Sequence, residues 1–474
     1  MATYILDGSN SMRSPLRNAL IFCVLAILSV PGSALADRAR VQSLGGIDLL
    51  IEDESNLFIN PAHIGSYSNR AWFSLGLTGS GGAVGFDPMG GGSIQIKQLF
   101  NLGLVLNRSP QAYGFEHAMW PVLEQFIPGG PGGDLAGPEG PSEATAPLRF
   151  PVDLFLAYGN RDTPIRFGMN AYYAGGALRD WNIEDNDEDG FDDSSVVKQQ
   201  THLFNVTLGV SGGRQTDRIR PEGWLRVGVL SAWSDRQSFR EDATGEVPTV
   251  DRILSLDRDL RIGGGARVHI GDPNSLRGIV VSPAIRYDVA FGTFRFDDNL
   301  VNPDSDAEES VRRATGHDLQ VGVGVAGRVD DLRVIGTAAI NATILDRFDQ
   351  VNAGTGVVEQ QTNQFVDVAI PEFSVGAEYN VLPALIVRAG VRSTVGAGRS
   401  ISTTKDLLGD PETPAELEIQ QNIATRPVEL GFEANGGIGL RVRRFSLDAT
   451  LGGLFLGQGA ASFLSRIDMS FSFD

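Results

Sequence analysis

Cysteine is almost missing from this chain: among its 474 residues the one cysteine is Cys23. It lies in an N-terminal apolar stretch, so no disulfide can form within the chain even in an oxidising compartment. Lysine is nearly as scarce, at Lys97, Lys198 and Lys405. With 58 Asp and Glu against 39 Lys and Arg, the formal charge is −19, which argues against nucleic acid as a partner. No helix-length apolar run follows residue 36, which excludes a helical membrane protein. The histidines, at 63, 117, 202, 269 and 317, show no metal-ligand spacing. No Gly-x-Ser-x-Gly, phosphate-loop or cysteine-based motif stands out either, so an enzyme is not expected.

What is present begins with an export signal. Arg13 and Arg17 form a positive start, Ala19 to Val30 an apolar run, and Ala34-Leu35-Ala36 a small-x-small cleavage site before Asp37. Residues 1–36 read as a secretory signal peptide, the apolar run being too short to span a bilayer as an anchor. Phe22 before Cys23 is too large for lipoprotein processing. Cleavage removes Arg13, Arg17 and Asp7 and leaves the mature chain one charge more negative.

The mature chain alternates. From Pro427 to Val442, Leu430, Phe432, Ala434, Ile438, Leu440 and Val442 fall on one face, and Glu429, Glu433, Asn435 and Arg441 on the other. A period of two is a β-strand. The same division recurs: Val281, Ile285, Tyr287, Val289 and Phe291 oppose Arg286 and Asp288, and Leu319, Val321, Val323 and Val325 oppose Gln320 and Arg328. Phe373, Val375, Ala377 and Tyr379 oppose Glu372 and Glu378, and Phe445, Leu447, Ala449 and Leu451 oppose Ser446, Asp448 and Thr450. Lipid outside and a wet lumen inside account for both faces. A charge on the lipid face costs about 2–4 kcal/mol at the bilayer midplane, so the charged faces point inward. The fold class expected is all-β: an antiparallel transmembrane β-barrel of about 14 to 16 strands, spanning residues 70–474. Mean hydropathy of −0.05 does not oppose this, since only alternate residues meet lipid.

Tight turns are expected near Arg161 to Thr163, Gly271 to Asn274, Val329 to Asp331, Val381 to Pro383 and Arg443, with a longer one from Gly212 to Pro221. Longer polar segments alternate with them: Leu178 to Gln200, Asp235 to Leu256, Asp297 to Thr315, Asp346 to Gln364 and Gly396 to Arg426. Short periplasmic turns and long outer loops are the pattern of transmembrane barrels. Two segments do not fit the wall. Residues 37–69 are rich in Gly, Asp and Asn and are expected inside the lumen or under its rim. Residues 109–147 form a long insertion, with a short helix expected over Glu116 to Ile127.

Asp53-Glu54-Ser55-Asn56-Leu57-Phe58-Ile59-Asn60-Pro61-Ala62 follows Gly45-Gly46 and precedes the first strand. This resembles the N-terminal signature of the FadL/PorV-type outer-membrane barrel superfamily. The resemblance implies a bacterial outer-membrane barrel of about 14 strands whose N-terminal segment plugs the lumen as a hatch, with Asn60, Pro61 and Ala62 as the hatch turn. It also implies passage of hydrophobic small molecules. The rest of the chain shares only architecture, and some members of the type serve secretion or surface attachment. The last strand departs slightly from the usual assembly signal, because Asp474 follows Phe473.

Several constellations invite chemistry. Asp185-x-Asp187-x-Asp189-Gly190, then Asp192 and Asp193, has the oxygen spacing of a Ca²⁺ loop, although Val196 stands where an EF-hand places its bidentate Glu. A Ca²⁺ site and a plain acidic loop are both open, and no other cofactor is expected. Arg261, Arg267, Arg286, Arg328, Arg388 and Arg392 are expected to face the lumen with Glu372, Glu378, Glu429, Glu433 and Asp448. Their mixed signs favour a structural network around the hatch over an ion-selective ring. Trp72, Tyr158, Tyr172, Tyr173, Trp224, Trp233, Tyr287 and Tyr379 are expected to form interfacial girdles. The expected protein is a monomeric outer-membrane channel for passive uptake of hydrophobic or amphipathic small molecules, whose other partners are outer-membrane lipids and the barrel-insertion machinery. A structural, anchoring or secretion-associated barrel and a soluble secreted Ca²⁺-binding β-protein are the alternatives.

Overall fold

The computed structural model describes residues 38–46, 49–51, 54–80, 83–97, 99–108, 149–184, 193–242, 245–272, 278–298, 308–353, 357–408, 415–451 and 464–473. The signal segment 1–36, the insertion 109–147 with its expected helix, and Asp185 to Asp192 lie outside these residues. Within them, 16 antiparallel strands close into one barrel, each paired with its neighbours in sequence and the first with the last.

The wall starts low, with β1 (Arg70–Ser80), β2 (Ala83–Ile96), β3 (Phe100–Leu106) and β4 (Arg149–Tyr158). It then rises through β5 (Ile165–Glu184), β6 (Asp193–Gly212), β7 (Ile219–Asp242), β8 (Gly245–Gly271) and β9 (Ile279–Asp298). The tall side continues with β10 (Glu308–Val329), β11 (Leu332–Ala353), β12 (Val357–Leu382), β13 (Leu385–Leu408) and β14 (Ala415–Val442). β15 (Phe445–Leu451) and β16 (Leu464–Ser472) close it. Arg70 pairs with Ser472 across the closure, and the Phe473 amide donates to the Asn69 carbonyl, so Asp474 does not prevent the last strand from pairing.

Tight turns lie at one end, where Asp330 and Arg443 take left-handed backbone (φ +51° and +56°) to reverse the chain within two residues. Both ends of the barrel strand series lie there too, as even parity requires. The opposite end differs from expectation. The polar stretches read as long loops are mostly strand: Lys198 pairs with Asp235, and Gln360 with Lys405, far along the same ladders. Above the lipid neither face need be apolar, so the alternation fades while the backbone ladder continues.

The faces divide as lipid and lumen demand. Leu319, Val321, Val323 and Val325 are exposed outward, whereas Asp318 and Gln320 are buried inward. An apolar exterior around a polar interior is the inverse of a water-soluble protein, which removes the soluble secreted reading. The aromatic girdles hold only in part. Tyr158, Tyr173, Trp233, Tyr287 and Tyr379 are exposed, but Trp72, Tyr172 and Trp224 are buried in the lumen. Tyr172 adjoins Tyr173, so strand alternation alone forces one of the two inward.

Candidate functional site

The lumen is occupied by the chain's own N-terminal segment. It opens with a short helix α1 (Arg38–Ser43), which ends at Gly45 with φ +62°. Two 3₁₀ turns follow, Glu54–Phe58 and Pro61–Ser66. Helix α1 lies against β13 to β16 and the second 3₁₀ turn against β3 to β6, so the segment crosses the lumen from one wall to the other. It sits near the tight-turn end.

Three apolar clusters seat it. Val41, Leu44 and Ile51 pack on Ile335, and Leu49 and Leu50 on Trp224, Ala284 and Ala339. Leu57, Phe58 and Ile64 pack with Trp72, Met89, Val105 and Phe155. Glycines on the inner wall let the two backbones touch. A Cβ at Gly168 would fall 2.3 Å from the Ala62 nitrogen, and one at Gly390 2.1 Å from the Leu44 carbonyl carbon. Asn60, Pro61 and Ala62 form the turn at this contact. The Asn60 side chain accepts from the Ala62 amide at 3.1 Å and donates to the Val210 carbonyl at 3.0 Å. Asn60 is thus both the cap of the 3₁₀ turn and a bridge to β6.

Buried ion pairs fasten what the apolar contacts seat. Arg267 on β8 donates to the Leu49 carbonyl, to Asn56 Oδ1 and to Glu222 Oε2, each at 2.9 Å. His63 of the plug lies 3.0 Å from the same Glu222 oxygen, and His269 Nε2 3.3 Å from the other. At the other end, the Ala39 amide donates to Asp468 Oδ2 at 2.5 Å, Thr450 donates to the Ala39 carbonyl, and Arg40 donates to Glu378 at 2.8 Å. Arg388 bridges Glu378, at 2.7 Å, and Asp448. Within the wall, Arg108 donates to both Asp153 oxygens at 2.7 and 2.6 Å, and its guanidinium meets the plug 4.3 Å from the centre of the Phe58 ring.

The remaining lumen charges lie along the wall. Arg261 is 3.4 Å from Asp259; Arg286 is 3.3 Å from Asp288 and 3.0 Å from Asp318; Arg392 is 2.5 Å from Glu372, which also accepts from Asn341. Glu433 accepts from Asn435 at 2.7 Å. Arg328 lies at the rim: it is exposed, its Nε donates to the Asp330 carbonyl, and it borders the cavity beside the plug. Glu429 lies on β14 and Asp193 begins β6, but their side chains fall outside the description. Among the described residues no group of three metal-ligating side chains converges.

Sequence reading did not single out Arg40, His63, Glu222, His269, Arg108, Asp153 or Asp468 as site residues. Strand alternation puts Glu222 and Asp153 inward, but which inward charges meet the plug depends on register across the barrel. A cavity of about 290 Å³ remains between plug and wall at the tight-turn end, bordered by Leu50, Ile51 and Ile335 and by Arg40, Arg220 and Arg333.

No family model matches this sequence, and no curated protein matches it. Among solved structures, the toluene transporter TbuX of Ralstonia pickettii is similar at 11% identity, over 94% of this chain and 100% of that one, with a TM-score of 0.33. The monoaromatic hydrocarbon channel CymD is similar at 10% identity over 94% and 98%, with a TM-score of 0.31. The ferric-catecholate import receptor Fiu of E. coli K12 is similar at 8% identity over 86% and 82%, with a TM-score of 0.33.

Proposed function

We propose that this chain is an outer-membrane channel for passive uptake of hydrophobic or amphipathic small molecules, held shut by residues 38–69. The plug fastened across the lumen, by the buried Arg40–Glu378 ion pair at one wall and by hydrogen bonds from Arg267 at the other, carries this reading. A barrel built only as a scaffold gains nothing from charges committed to a removable segment, since apolar packing would be at least as stable. The cavity beside the plug joins apolar borders to charged ones of both signs, Arg220 and Arg333 with Asp331 and Glu378, which suits an amphipathic solute leaving as the plug shifts.

The test is swelling of liposomes that carry the mature chain, in small neutral sugars and then in aromatic solutes. The intact barrel should not swell in sugars, and deletion of Val41 to Ser68 should make it leak. Uptake of an aromatic solute by the intact barrel supports the channel. A folded barrel that passes no solute while retaining a protein partner when the plug is deleted would establish the anchoring alternative instead.

A further inference from the structure

Two matching arrangements stand on the outer wall. The Tyr173 hydroxyl lies 2.9 Å from His202 Nδ1, with the rings stacked at 6.2 Å and 23°. The Tyr287 hydroxyl lies 2.7 Å from His317 Nδ1, with the rings stacked at 6.1 Å and the same 23°. The registers also match: Tyr173 pairs with Phe204 and Tyr287 with Leu319, so each histidine sits two residues diagonally along the next strand. A tyrosine donating to Nδ1 leaves the Nε2–H of each histidine as an outward donor.

Cations stand above each pair on the same outward face. Lys198 is four residues beyond His202, directly opposite Arg179 on β5, and Arg313 is four residues beyond His317. Lys198 is offset by Asp235 at 3.4 Å. Arg179 and Arg313 have no ion pair or hydrogen bond among the described residues. Like charges directly opposite in a sheet repel, so Arg179 and Lys198 gain from a further anion. Trp181 and Trp233 stand outward beside them, as interfacial anchors do. Below lie only apolar outward side chains on these strands, among them Phe167, Met169, Leu208 and Val227.

Height decides the kind of anion. At about 3.3 Å per residue and a tilt of about 40°, His202 stands about 25 Å along the barrel axis from the end of β6 at Gly212, the height of the apolar band. Lys198 and Arg179 stand about 10 Å higher, and their long side chains reach back toward the band edge. That level is where phosphates of an outer leaflet lie.

On the reading that the barrel sits in an outer membrane, we propose that these patches, on β5–β7 and β9–β11, bind the phosphates of a phosphorylated outer-leaflet glycolipid. The histidine Nε2–H and the basic side chains donate to phosphate oxygens, while the apolar band below holds the acyl chains. Arg313 has Phe348 and Thr293 opposite it, and the nearby Asp346, which keeps its charge, accepts from Gln364 at 2.8 Å.

The test is native mass spectrometry of the full mature barrel with added diphosphorylated lipid A, alongside dephosphorylated lipid A and phosphatidylglycerol. Two lipid A molecules per barrel should survive activation that strips the other two lipids. Arg179→Gln with Lys198→Gln should lower retention of one by roughly tenfold, and Arg313→Gln should remove the other. Arg179→Lys should retain both, and heat-dependent gel mobility certifies that each variant is folded. Equal retention of all three lipids, or wild-type retention by the folded glutamine variants, overturns the proposal. Cell fractionation is scored separately: an outer-membrane barrel that retains no lipid A refutes these sites alone, whereas a barrel found elsewhere refutes the location on which they rest.

Discussion

Arg267→Met is the sharpest test of how the plug is held. Methionine keeps most of the side-chain length but removes three hydrogen bonds, two to the plug at Leu49 and Asn56 and one to Glu222. Glu222 would remain buried beside His63 and His269 without its permanent cation. Breaking a buried pair by removing one partner costs about 3–5 kcal/mol. At about 1.4 kcal/mol per tenfold, the equilibrium between seated and unseated plug should shift by roughly a hundredfold to a few thousandfold. Hydrogen exchange reads that ratio directly, because plug amides exchange when the segment leaves its seat. Amides of Leu50, Leu57 and Ile59 should lose protection by that factor, while amides of β10 and β11 should not change. Planar-bilayer recordings of the same variant should show openings that the wild type lacks. A second variant, Glu222→Gln with Arg267→Met, removes both charges and should recover part of the lost protection. If Arg267→Met leaves plug exchange unchanged, Arg267 does not fasten the plug and the reasoning from its hydrogen bonds fails.

Two further outcomes follow from the same geometry. Gly168→Val places a side chain where Ala62 now sits, so the second 3₁₀ turn should be displaced and liposomes should leak to sugars; heat-dependent gel mobility should stay intact, and a sealed, folded variant counts against close backbone contact. Val323→Arg puts a charge on the outward face near the middle of the apolar band and should cost about 2–4 kcal/mol in urea unfolding from bilayers. A loss under about 1 kcal/mol would mean that this row does not face lipid.

The wall was legible because burial on one face and lipid on the other both write themselves in a period of two. Leu430 and Phe432 outward, with Asp448 and Glu378 inward, needed no knowledge of the fold's other strands. The upper strands were not legible, since Gln360 and Lys405 pair in water where either face tolerates either chemistry. The three-residue turn Asn60 to Ala62 could be found through the resemblance of its segment to a family's N-terminal signature. Its fasteners could not: Arg267 meets Asn56 across 211 residues, and which of many inward arginines does so is decided by shear and register.

Asp468 carries a consequence for the order in which the molecule is made. It lies on the closing strand, accepts from the Ser74 hydroxyl on β1, and accepts from the Ala39 amide of the plug across 429 residues. The plug, which precedes the whole wall in sequence, therefore finds one of its anchors on the strand that closes the barrel. Until β16 is laid beside β1, α1 lacks that anchor, and a half-built barrel exposes both a sheet edge and an incompletely tethered plug. Seating of α1 and completion of the wall become coupled steps, late in assembly and slowed by a closure across 429 residues.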